Sequence, residues 1–146
     1  MKHRTIIDPN REEEVVIHAH FRTKEIADLE AYLESLGAEI MGYGRNGEIV
    51  RLHPAEIHCF VVEEGRVMAL TDTERLTVRL PLYVVEEMVD GGFVRINQSC
   101  IGNIHKIARF KVTIGGALMV TFQNGHCDFV SRRQLKNVKE RMGFKL

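Results

Sequence analysis

Apolar Val15, Ile17, Ala19 and Phe21 alternate with Val16, His18 and His20, which is the period of a strand with one face buried. Thr23 then stands at an N-cap position, and Ile26, Leu29, Leu33 and Leu36 recur at helical spacing until Gly37. A hydroxyl at the start and a glycine at the stop predict a helix between them. Its single apolar stripe has to pack on the rest of the chain or on a second subunit. The residues before the turn Asp8-Pro9-Asn10 read as a further short strand, so positions 1–41 are expected to form a small β-β-α unit.

From Ala38 onward the pattern becomes short apolar runs punctuated by turns. Asn46-Gly47 and Asn124-Gly125 are dipeptides that tight hairpins favour, and Gly115-Gly116 separates two further runs. The predicted strands are Glu48–His53, Ile57–Glu63, Arg66–Thr71, Leu76–Val78, Phe93–Arg95, Lys106–Ile114, Ala117–Gln123 and His126–Val130. A helix near Leu80–Val89 interrupts them, with Leu82, Val85 and Val89 close to one face. A last helix runs from an N-cap at Ser131 to Gly143. On that helix Leu135, Val138 and Met142 fall together, while Arg132, Arg133, Lys136 and Lys139 fill the adjoining arc. The expected fold class is mostly β (α+β): an elongated antiparallel β-sheet domain with short helices over 42–146, preceded by the β-β-α unit over 1–41.

Composition leaves that picture standing. The 146 residues are 45% apolar and 27% charged, ordinary for a folded soluble chain, and long enough for one domain with a small appendage. The three cysteines, Cys59, Cys100 and Cys127, are odd in number and have no CxxC spacing, as suits a reducing compartment. No apolar run is long enough to span a bilayer, so a cytoplasmic location is expected.

Charge changes the picture more. Twenty basic and twenty acidic residues sum to zero, which at first argues against a nucleic-acid partner. Residues 1–41 carry five basic and nine acidic side chains, residues 42–92 again five and nine, and residues 93–146 ten and two. An acidic two-thirds therefore precedes a basic last third, an asymmetry that suggests a polyanion-facing surface.

Several stretches in order carry a resemblance. They are Pro54-Ala55-Glu56-Ile57 with the strand to Phe60, the loop near Gly65-Arg66, and the helical Leu80–Val89. Phe93-Val94-Arg95-Ile96-Asn97-Gln98-Ser99-Cys100-Ile101-Gly102-Asn103-Ile104-His105-Lys106-Ile107 follows, and then Asn124-Gly125, a strand and Ser131-Arg132-Arg133. Over about 42–146 the chain resembles the LytTR-type DNA-binding domain, the output module of a family of bacterial transcription regulators. The short N-terminal extension resembles that of compact members without a receiver domain.

The resemblance implies a DNA-binding regulator that reads tandem direct repeats through loops and a helix start in successive major grooves, unlike the helix-turn-helix pattern. Carried over position by position, it makes Arg66, Asn103 and Arg133 the base-contacting residues. An amide suits adenine N6 and N7, and a guanidinium suits guanine O6 and N7. Arg95, Asn97, Ser99, Lys106, Arg132 and Lys136 become phosphate contacts, which position without reading sequence. Asn103 has a second reading as a turn residue bonded to nearby backbone. Gln98 stands where the family commonly has Lys or Arg, and Gly102 where it has a β-branched residue. The expected partners are double-stranded DNA, a second copy of the chain and, from the resemblance, an inhibitory membrane protein, the acidic N-terminal unit being the candidate for dimerisation or for holding the inhibitory partner.

Other chemistry is thin. His18 and His20 share one face of the predicted strand without a third or fourth zinc-type ligand, so no metal site is assigned. His126 and Cys127 are strand neighbours that point to opposite faces, which disfavours a nucleophile and base pair. No catalytic motif or phosphate-binding glycine loop is present, and neither enzymatic activity nor a cofactor is expected. The rival reading is a small β-rich interaction module whose basic third holds RNA or another polyanion nonspecifically.

Overall fold

The computed structural model describes residues 2–35, 39–89 and 91–145. The turn at Asp8-Pro9-Asn10 forms as expected, with Asn10 N donating to Asp8 Oδ1 at 3.0 Å and Arg11 N to Asp8 O at 3.3 Å. Residues 2–23 otherwise contain no strand. The two strands expected before the first helix are thus not formed. Period-2 alternation marks a face, but a strand also needs a neighbour for its backbone N–H and C=O groups, and none lies alongside among the described residues. Helix α1 (Lys24–Ser35) follows, its first turn capped by Thr23 Oγ1, which accepts from Ile26 N at 3.3 Å. The expected stop at Leu36-Gly37 lies outside the described residues.

The rest is strand-rich and antiparallel. Strands β1 (Ile40–Tyr43), β2 (Ile49–Leu52), β3 (Cys59–Glu63), β4 (Arg66–Leu70), β5 (Arg75–Val78), β6 (Phe93–Asn97) and β7 (Cys100–Asn103) form a seven-stranded sheet in the order β2-β1-β5-β4-β3-β7-β6. Strands β8 (Ile107–Val112), β9 (Leu118–Phe122) and β10 (Cys127–Val130) form a second sheet in the order β10-β9-β8. Strands β1 and β7 are additions to the periodicity reading, because each is four residues long with a central glycine and shows little alternation. The expected division at 41/42 falls inside β1, whose Ile40 pairs with Leu52 of β2.

Alternation along the central strands splits the core in two. Phe60 of β3, Val67 and Ala69 of β4, Phe93 of β6 and Ile101 of β7 face helix α2 (Leu82–Met88), which inserts Leu82 and the fully buried Val85. Cys59, Val61, Val94, Ile96 and Cys100 point the other way and meet Leu118, Val120 and Phe122 of β9, Val130 of β10 and Val138 of helix α3 (Arg132–Met142). Val85 and Val138 are 0% exposed, and burying each contributes roughly 1.5–3 kcal/mol. Gly102 is needed where the layers touch, since a Cβ there would lie 2.7 Å from Phe122 Cζ. The departure from a β-branched residue at this position thus makes room for an aromatic ring from the facing sheet.

Candidate nucleic-acid interface

One end of the larger sheet is assembled from three tight features. The β3–β4 hairpin turns through Glu64 (φ 50°) and Gly65 (φ 76°), a left-handed pair matched to strand twist, and delivers exposed Arg66 as the first residue of β4. The β6–β7 connection, Asn97 to Cys100, lies beside it, because Val62 N donates to Ser99 O at 2.9 Å. Helix α3 begins next to that connection, with Ser131 N donating to Ile96 O at 3.0 Å. Asn97 binds the two sheets together here. Its Nδ2 donates to Asp128 Oδ1 at 2.7 Å and to Phe129 O at 2.8 Å, while its Oδ1 accepts from Ser99 N at 2.8 Å. Arg66, Gln98, Ser99, Arg132, Arg133 and Lys136 are exposed at or beside this end, and none has a side-chain partner among the described residues.

The first turn of α3 holds two arginines and no acidic residue, and Ser131 makes no side-chain cap. Cations against the positive end of a helix dipole are unfavourable by a few tenths of a kcal/mol, and the backbone N–H groups of Arg132 and Arg133 stay available to an acceptor, Gln134 N being closed on Ser131 O. Both features suit an external anion. Glu63 and Glu64 share the β3–β4 hairpin with Arg66, Glu63 being paired with Arg75, and Asp128, beside Asn97, is turned inward. Burial alone would raise its pKa, but the bonds from Phe129 N (2.9 Å) and Asn97 Nδ2, with His126 Nε2 at 3.6 Å, outweigh it and hold its carboxyl below the usual range.

The opposite end is closed on itself. Asn103 is 3% exposed; its Nδ2 donates to Ile57 O at 2.9 Å and Pro54 O at 3.3 Å, and its Oδ1 accepts from His105 N at 3.0 Å. Asn103 is a buried turn residue at the head of a one-turn 3-10 helix (Ile104–Lys106), and its amide is not presented to a base edge. Fully buried His58 accepts from Asn124 N on Nδ1 at 3.3 Å, which leaves Nε2–H to donate to Asp72 Oδ1 at 2.5 Å. That bond holds the exposed Asp72 carboxyl below its ordinary pKa. Asn124 Nδ2 donates to Thr71 O at 3.1 Å, joining the two sheets at this end too, while Gln123 N to Lys106 O at 2.8 Å extends the β8–β9 ladder.

Expected phosphate contacts separate in the same way. Arg95 is an internal strut, its Nε 2.7 Å from Glu86 Oε2 of α2 and its guanidinium donating to Gln98 O at 3.3 Å. Asn97 is spent on the second sheet, and half-buried Lys106 sits at the Asn103 end near Asp72. Arg141, counted in the basic third, donates to Phe93 O at 3.3 Å and also to Gly91 O. Gln98, marked in the sequence only as a departure from the family's Lys or Arg, stands exposed among these residues. Its position at the apex of a two-residue connection was the available signal, since apex side chains lack neighbours.

His126 and Cys127 do not meet: Cys127 Sγ contacts Thr121 Oγ1 at 3.4 Å and Gly125 O at 3.6 Å. Cys59 and Cys100 are buried free thiols, and their mutual hydrogen bond together with burial raises the Cys100 pKa far above the usual thiol range. Among the described residues no group of three or more His, Cys, Asp or Glu is placed to hold a metal, and no helix is long and apolar enough to cross a membrane.

Comparison with known proteins bears on this geometry. The family model of the LytTr DNA-binding domain matches residues 47–143. Two Staphylococcus aureus proteins named as HTH-type transcriptional regulators, from strains RF122 and NCTC 8325, are each 30% identical over 95 residues. That alignment covers 65% of this chain and 65% of each relative, so just under two thirds of the relatives' length is matched. The solved LytTr DNA-binding domain of a Bacillus cereus response regulator superposes with a TM-score of 0.67 at 15% identity, covering 74% of this chain and all of that one. The likeness is one of fold. Despite the relatives' name, α2 and α3 are separated here by five strands, so they do not make a helix-turn-helix.

Proposed function

Because the chain belongs to the LytTR family of DNA-binding domains, a family of binding modules and not of enzymes, we propose that it is a sequence-specific transcription regulator that docks its α3 end on duplex DNA. The observation that carries this reading is the cluster of exposed, unpartnered Gln98, Arg132, Arg133 and Lys136 beside a helix start free of acidic side chains. Arg133 supplies a guanidinium for guanine O6 and N7, and Gln98 an amide for adenine N6 and N7. Arg66 reaches from the neighbouring hairpin. Arg132, Lys136 and Ser99 hold phosphates and set the register. Asn103, expected from sequence to read a base, supports the fold at the far end instead.

Two copies on tandem direct repeats about one helical turn apart would provide the area and discrimination that one module of this size lacks. A membrane protein that restrains the regulator is a partner suggested by the family resemblance, and the cytoplasm is where DNA and such a partner would both be met.

The test is selection of bound duplexes from a random pool, followed by salt titration of the selected site and a scrambled one. Specific reading gives separate curves, and Lys136→Ala weakens both equally while lowering the salt slope by about 1. Identical curves for the two duplexes would establish nonspecific polyanion binding in its place.

A further inference from the structure

The DNA-facing corner leaves residues 12–22 unused. None of their backbone N–H or C=O groups is hydrogen-bonded to another described residue. Val15, Val16 and Phe21 are 65%, 60% and 80% exposed. Val15, Ile17, Ala19 and Phe21 line an open groove together with Ile26 and Leu33 of α1, so the alternating apolar face already lies toward a helix. Such a segment is a strand in all but its partner.

We propose that residues 14–22 pair antiparallel with the same residues of a second copy, centred on His18. The charge order of the segment selects this occupant. Glu12-Glu13-Glu14 precede the apolar alternation, and Arg22 and Lys24 follow it. Antiparallel pairing about His18 sets Glu14 opposite Arg22, Val15 opposite Phe21, Val16 opposite His20 and Ile17 opposite Ala19, each twice by symmetry. Glu14 thus finds its basic counterpart on the other chain, and each of the larger apolar residues, Phe21 and Ile17, faces a smaller one across the strands. Parallel in-register pairing would stack glutamate on glutamate, moving the centre to Ile17 would set Glu14 opposite His20, and moving it to Ala19 would set Arg22 opposite Val16. In the single chain Arg22 pairs with Glu30 at 2.8 Å and Arg11 with Glu14 at 3.8 Å, all largely exposed contacts. Exchanging exposed ion pairs costs little, whereas closing the ribbon satisfies the facing row of backbone groups on each copy and sets the two apolar stripes side by side on one face.

This pairing deepens the two-copy reading given above, and it is two-fold. Direct repeats then require the two DNA-binding domains to depart from that axis, whereas inverted repeats would not. The test is therefore made on the full chain without DNA, by sedimentation equilibrium up to about 100 μM. Wild type is expected to dimerise, and Glu14→Arg and Arg22→Glu each to weaken the dimer about tenfold or more through like charges at both ends. An equal mixture of the two variants regains wild-type affinity, since each then meets its complement. Circular dichroism checks that both remain folded. In a Cys127→Ser background, His18→Cys should give a symmetric disulfide dimer under mild oxidation. A monomeric wild type, single variants that dimerise normally, or a mixture that fails to recover would each overturn the proposal. Loss of operator preference with the dimer intact would instead count against the DNA-reading assignment alone.

Discussion

At the α3 end of the larger sheet, Gln98, Arg132 and Arg133 stand in solvent with nothing to bind; at the other, Asn103 and His58 are 3% and 0% exposed and bonded on every side. The contrast concerns side chains of similar chemistry. Asn103 and Gln98 both carry an amide, yet one satisfies three backbone groups and the other satisfies none in this chain. A polar group already paired inside the fold has little left to offer a ligand, and removing it exposes the cost of the groups it served. A polar group left unpaired on a rigid tip has spent nothing on stability. Residue type alone therefore does not nominate a recognition residue, and the partner count of the side chain does.

The sharpest break of this comparison is Asn103→Ala. It leaves Ile57 O and His105 N without their partner and should lower unfolding free energy by about 2–3 kcal/mol in urea titration. Base preference of the folded fraction should stay as in wild type. Next in size are Arg133→Ala and Gln98→Ala. Each should weaken the selected site by about 1–3 kcal/mol and relax preference at particular base pairs, with stability within about 0.5 kcal/mol of wild type; electrophoretic mobility shifts at fixed salt give the first number and thermal melts the second. If Asn103→Ala changes base preference and Gln98→Ala does not, the two ends have been assigned the wrong way round.

The smallest effect concerns pH. Asp128 and Asp72 titrate below ordinary carboxylates in the folded chain, so their contribution to stability is complete above the unfolded-state pKa and is lost as pH falls through the lowered folded value. Thermal melts of wild type should therefore fall off on the acid side of the ordinary carboxylate range, and Asp128→Asn should flatten that limb. A variant with the same acid dependence as wild type would remove Asp128 from the account.

Much of the architecture was legible. Hairpins at Asn46-Gly47, Gly115-Gly116 and Asn124-Gly125 form with positive φ at Gly47, Gly116 and Gly125, and α3 ends at Gly143 in the left-handed region (φ 76°). These features are encoded within a few residues. The misreadings share a cause, since all depended on neighbours distant in sequence. Val15–Phe21 has the strand period but no strand beside it, and β7 is a strand because β3 and β6 flank it, with Cys59 opposite Gly102 and Phe93 opposite Asn103. Arg95 and Arg141 looked like free cations until Glu86 and the carbonyls of Gly91 and Phe93 came into reach. Charge segregation pointed to the last third of the chain, and the fold decided which of its cations remained available.

Helix α3 is tied down along its whole length. Ser131 N is bonded to Ile96 O near the end of β6, Val138 is buried at its middle, and Arg141 grips the carbonyls at the start of that same strand. Gly143 N closes its last turn on Lys139 O at 2.8 Å. A helix fastened in this way cannot swing or fray toward a groove, so little configurational entropy is left to lose on binding. If α3 docks on duplex DNA as proposed, its fit to a given site is set largely before contact, and the deformation a mismatch demands falls on the DNA.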